Sequence, residues 1–250
     1  MARAGFRFGA RGTHTSRTMM LTELTETLAH VSLGSPRDAF AEAIVENNIL
    51  GKSTASTRGL TYQRLGELYG LDPSVPLFRV LDRLWRIEPA ARPHLALLAA
   101  LARDPLLRAT AEVILSLAPG EELSRTKMVD AIRGATDNRL NAAVCDKVAR
   151  NVASTWAQSG HLTGRVRKIR QLVTPSPTAA AFALWLAWIE GGSGEKLLRS
   201  MWARLLDRSP SELLQLSLAA KQMGLIRLRT AGGVIEIDPL PLDPVQAMAR

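Results

Sequence analysis

Between Arg139 and Gln171 the chain places seven basic residues, Arg139, Lys147, Arg150, Arg165, Arg167, Lys168 and Arg170, against one acid, Asp146, a local net charge of +6. Like charges crowded this closely repel one another unless a polyanion neutralises them, so phosphate binding is the chemistry the cluster suits. Lys147, Arg150, Asn151, Ser154 and Gln158 stand at offsets 0, 3, 4, 7 and 11, one stripe of a helix, and are donors for phosphates and base edges. The same stripe also reads as an ordinary solvated helix face. Four cations within Arg165 to Arg170 predict a ribbon lying along a phosphate backbone. About four to six phosphate contacts would give a slope of log affinity against log salt near −4 to −5.

These side chains need a helix and a hairpin to hold them. Leu140, Val144, Val148, Val152 and Trp156 form an apolar stripe, predicting a helix from Leu140 to Gln158 with the polar stripe outward. Ser124 caps a preceding helix to about Arg133. Gly160 and Gly164 flank a β-like run through Leu162, Val166, Ile169 and Val173. A second unit follows, with a helix from Glu195 to Leu206, another from Ser209-Pro210 to Met223, and a hairpin. In that hairpin Ile226, Leu228, Ile235 and Ile237 alternate with Arg227, Arg229, Glu236 and Asp238 around Ala231-Gly232-Gly233. Its opposed charges and the apolar helix before it predict packing or a protein interface. Helix, turn, helix and ribbon is the order of a winged helix. The expected fold is therefore mainly α, an N-terminal helical bundle over residues 21–119 followed by two winged-helix-like units, 120–175 and 176–250. Residues 1–20, with Arg3, Arg7, Arg11 and Arg17, no acid and interrupting glycines, read as a basic disordered arm. Met19 and Met20 offer alternative start sites.

The 250 residues are 46% hydrophobic and 22% charged, enough for a sizeable core, and the net charge of +9 favours a polyanionic partner. The apolar stretch Ala179 to Ile189 is too short to span a bilayer and reads as a buried helix, and no secretory signal pattern opens the chain. One cysteine, Cys145, permits no internal disulfide, and a reducing cytoplasm is expected. The four histidines have no zinc-site spacing. Gly51-Lys52-Ser53 imitates the end of a phosphate-binding loop, but Glu46 occupies the position of its first glycine. Cys145 sits among apolar residues, and His161 follows a helix end, where a cation would cap the dipole. Trp85, Trp185, Trp188 and Trp202 fall in apolar stripes. No catalytic residues, cofactor or metal are predicted.

The run Glu46-Asn47-Asn48-Ile49-Leu50-Gly51-Lys52, the stretch Leu77 to Trp85, and Thr155-Trp156-Ala157-Gln158-Ser159-Gly160-His161-Leu162 with basic residues after it carry a resemblance. Over residues 30 to 240 the chain resembles the BrxA-like proteins of bacteriophage-exclusion (BREX) defence systems. The resemblance implies a small, mostly helical, cytosolic bacterial protein that binds DNA beside larger methyltransferase, ATPase and phosphatase-like members. The expectation is a non-enzymatic binder of double-stranded DNA, with Arg139, Lys147, Arg150, Asn151, Ser154, Arg165, Arg167, Lys168 and Arg170 as its contacts. The alternative is an adaptor holding a defence complex together without touching DNA.

Overall fold

Apolar residues three and four apart fold as helices wherever a side chain is placed to start them. The computed structural model describes residues 1–245. It contains α1 (Leu21–His30), α2 (Arg37–Ala41) with a π-helical turn (Glu42–Glu46), α3 (Ala55–Tyr69), α4 (Pro76–Trp85), α5 (Arg92–Arg103), α6 (Pro105–Arg108) and α7 (Ala111–Leu115). Then come α8 (Arg125–Ala135), α9 (Ala142–Gln158), α10 (Pro177–Ile189), α11 (Met201–Arg204) and α12 (Pro210–Gln222). Two short antiparallel hairpins supply the strands, β1 (Leu162–Thr163) with β2 (Ile169–Arg170), and β3 (Arg227–Ala231) with β4 (Val234–Asp238). The protein is mainly helical, as the periodicity predicts.

Ser124, Asn141, Ser176 and Ser209 each accept a backbone N–H at the start of α8, α9, α10 and α12, a contribution of about 1 kcal/mol apiece. Asn141 moves the start of α9 two residues past the expected Leu140. The helix expected from Glu195 to Leu206 is instead a 3-10 segment, Gly194–Arg199, and α11, because Ser200 caps a new start.

Every residue of α10 from Thr178 to Ala187 is buried, so its apolarity serves the interior of the protein. It packs on α5, α11 and α12, and α5 in turn packs on α3, α4 and α9. One connected apolar cluster runs from Ala4 to Leu242. Pro119-Gly120 marks a change from helices to helix–hairpin units, with no break in this core. No helix among the described residues is long and apolar enough to cross a membrane.

The disorder expected for residues 1–20 does not hold. Ala4, Phe6, Thr13, His14, Met19 and Met20 are buried, Phe6 stands edge-on to Trp202 at 5.8 Å, and Arg7 N–H donates to Ala102 O at 3.1 Å. Glycines erase any local period here, so partners distant in sequence order a segment that has no pattern of its own.

In the second hairpin Arg227 faces Asp238 and Arg229 faces Glu236. Gly232 and Gly233, at φ 57° and 79°, make a two-residue turn that side chains resist. Ile226, Leu228 and Ile237 are buried, so this aliphatic face serves packing within the chain.

Candidate nucleic-acid interface

The first hairpin is tied to the start of α8 by a third extended segment. Gly120 N–H donates to Arg170 O (2.9 Å), Arg170 N–H to Glu121 O (2.9 Å) and Leu123 N–H to Lys168 O (2.7 Å). Within the hairpin Leu162 faces Arg170 and Thr163 faces Ile169. α9 is seated by Val148, Val152 and Trp156, all buried, and Trp156 Nε1 donates to Thr110 Oγ1 at 2.9 Å. Cys145 is buried in the same seam.

Between the start of α8, the outer side of α9 and the hairpin lies an open cleft of about 760 Å³. Its floor is apolar, made by Leu123, Met128, Ala149 and Ala153, and its rim carries Ser124, Arg125, Arg150, Ser154, Arg165, Lys168 and Glu122. Two ion pairs cross this region, Arg125 with Asp146 at 2.7 Å and Arg167 with Glu122 at 2.6 Å. The Arg167 hydrogen bond holds the Glu122 carboxyl below the usual carboxylate range, and the same bond raises the Arg167 guanidinium. Arg150, Arg165 and Lys168 have no ion pair among the described residues; Lys168 Nζ donates only to Gly164 O, at 2.7 Å. The cleft can therefore present positive charge over an apolar floor, a combination that fits phosphates with sugar or base surface between them.

The nine expected contact residues divide. Arg150, Ser154, Arg165 and Lys168 meet at the cleft. Lys147 is exposed on the same outward side of α9, beyond the rim, and Arg139 is exposed in the α8–α9 turn, where its Nε donates to Thr136 O at 3.1 Å. Arg167 reaches the rim only through its partner Glu122. Asn151 is turned aside, its Nδ2 donating to His14 O at 2.8 Å.

Arg170 corrects the sequence reading outright. It is 2% exposed and forked onto Asp207, which also accepts Val173 N–H at 3.0 Å. Strand alternation sends it inward, opposite Leu162, so it cannot reach a phosphate. His161 is a second correction. It lies in the interior with Ser159 Oγ 2.9 Å from Nδ1 and Leu205 O 2.7 Å from Nε2, and burial pushes its pKa down to about 4. It is neutral at pH 7 and packs as a ring against Trp156 and His94, so no cationic cap exists there.

Two features escaped the sequence. Arg125 lines the cleft because Ser124 starts α8 there, a position the cap alone could have signalled. The other is a buried chain in which His14 Nδ1 meets Asp104 Oδ2 at 2.7 Å and Nε2 meets Thr155 Oγ1 at 2.8 Å. Burial raises the Asp104 pKa, but the hydrogen bonds and charge of His14 and the N–H groups of α6 outweigh it and hold the carboxyl low. The order Asp, His, hydroxyl resembles a hydrolytic triad. Thr155 is fully buried and accepts Met19 N–H at 2.9 Å, so its hydroxyl has no face for a substrate. The chain fastens the N-terminal segment to α9. No signal in the sequence links residues this far apart. No protein-family model matches the chain and no curated protein matches it.

Proposed function

We propose that the protein is a non-enzymatic binder of double-stranded DNA whose residues 120–175 act as a winged-helix unit, α9 entering the major groove and the first hairpin lying on the backbone. The observation that carries this reading is the convergence of Arg150, Ser154, Arg165 and Lys168 on one open cleft beside the exposed side of α9, with no carboxylate among the described residues paired to these three cations. The order of elements supports it, since an extended segment, two helices and a hairpin bonded back to that segment is how such a unit is built. The resemblance to BrxA-like proteins gives the setting, an anti-phage defence system whose other members would be protein partners in the cytoplasm.

The test is duplex affinity across a salt series for the wild type and for Arg165→Ala/Lys168→Ala. Each neutralised phosphate contributes about −0.9 to the slope, so the loss of Arg165 and Lys168 should make it less negative by about 1.8. A variant with unchanged affinity and slope would remove the cleft from the interface. Co-purification with a defence partner and no duplex affinity would favour the adaptor role instead.

A further inference from the structure

The outward side of α9 has a second border. Residues 13–19 run beside the helix in its own direction. Asn151 Nδ2 donates to His14 O (2.8 Å), Thr155 Oγ1 accepts from Met19 N–H (2.9 Å), and Gln158 Nε2 donates to Thr18 Oγ1 (3.1 Å). At about 100° per residue, Asn151, Thr155 and Gln158 project within a sector of about 60°. Ala149 and Ala153, which face the cleft, project on the opposite flank. Lys147, Arg150 and Ser154 fall between the two. The hairpin and the N-terminal strap therefore flank the same polar face from opposite sides.

The strap is rigidly seated. His14 is fully buried and bonded at both ring nitrogens, and its backbone N–H also donates to Asp104 at 3.0 Å. None of these ties uses a strap arginine. Arg11 is exposed and Arg17 half-buried; neither has an ion pair among the described residues, and Arg17 Nη1 donates only to its neighbour Ser16 O, at 3.3 Å. Arg17 is thus carried beside the helix with no role in holding the segment there.

A helix with its side chains is about 10–12 Å across and the major groove is about 12 Å wide, so a helix seated in it has a phosphate backbone on each side. The hairpin supplies cations on one side only. We propose that the strap is the second rail: Arg17 contacts the phosphates of the DNA strand on the side of α9 opposite the hairpin. This rests on the duplex-binding reading above, and commits to the duplex backbone as occupant because charge complementarity lies on both flanks of one helix.

The experiment measures duplex affinity against salt for the full chain and for Arg17→Ala, Arg17→Lys and Arg165→Ala/Lys168→Ala, with melting temperature recorded for each. Removing one cation from a phosphate should make the slope less negative by about 1, or weaken binding about tenfold at 0.1 M salt if affinities converge at 1 M. Arg17→Lys should keep most of the affinity, since neutralising a phosphate needs only the charge. Phosphate-ethylation interference should show the strap and hairpin variants relieving interference on opposite strands. If the wild type binds and the hairpin variant is weakened while the strap variants match the wild type, the strap inference is overturned and the duplex reading stands. A wild type with no duplex affinity overturns both. Strap variants that weaken binding through a lowered melting temperature, with an unchanged slope, also overturn it.

Discussion

Arg170→Met separates a cation that belongs to the fold from those that face solvent. The substitution keeps the length of the side chain and removes its charge, leaving Asp207 buried with Val173 N–H as its remaining partner outside the fork. Breaking one side of a buried pair costs about 3–5 kcal/mol, because the surviving charge is desolvated and uncompensated. For a chain of this size each kcal/mol moves the melting temperature by about 2–4 °C, so a drop of roughly 6–20 °C is expected. Replacing both partners, Arg170→Met with Asp207→Asn, should restore part of it, since the amide carries no charge, tolerates the φ of 53° at this position and can still accept Val173 N–H. Duplex affinity, measured well below the melting temperature, should not change in either variant. By contrast Arg165→Ala/Lys168→Ala should melt close to the wild type, within about 0.5 kcal/mol per site, and bind more weakly. Thermal melts followed by circular dichroism, paired with binding in a salt series, read both quantities. An Arg170→Met protein that melts within 2 °C or so of the wild type, yet binds with a shallower salt slope, would refute the assignment of Arg170 to the interior.

Other outcomes follow from the same geometry. Glu122→Gln removes the carboxylate that occupies Arg167 and a negative charge from the cleft rim, so duplex binding should tighten and its salt slope steepen by about 1; an unchanged slope would mean Arg167 does not reach the backbone. Gly164 holds φ 93°, and a Cβ there would collide with the Arg167 carbonyl oxygen. Gly164→Ala should therefore misplace the hairpin tip and lower affinity while the bulk of the helical signal survives, a pattern that circular dichroism and binding titration together would reveal. His161, with its pKa near 4 in the folded protein and about 6.5 in the unfolded chain, refuses a proton that the unfolded chain accepts. Stability should thus fall as pH drops from about 6.5 to about 4, by on the order of 3 kcal/mol, with His94 adding in the same direction through burial. A melting temperature that stays flat between pH 7 and pH 5 would contradict the burial of these rings.

What the sequence determined on its own is what short-range physics controls. Helices α8, α9 and α12 follow from 3.6-residue periodicity and from Ser or Asn at their starts, α10 from its unbroken apolar run, and the second hairpin from alternation around Gly232-Gly233. The same reasoning put Arg150 and Ser154 on the outer side of α9, since the helix period alone separates them from Val148, Val152 and Trp156. Tertiary structure decided the rest. Charge density could not tell Arg165 from Arg170, because which one meets Asp207 depends on strand alternation and on a loop 37 residues further on. Helical spacing alone makes Asn151 a groove contact, whereas in the fold it serves the carbonyl of His14, 137 residues away. Residues 1–20 have no period, yet they are ordered, because hydrogen bonds to Asp104 and Thr155 and an apolar seat for Phe6 and Met19 offset the entropy that a local pattern would otherwise have to overcome.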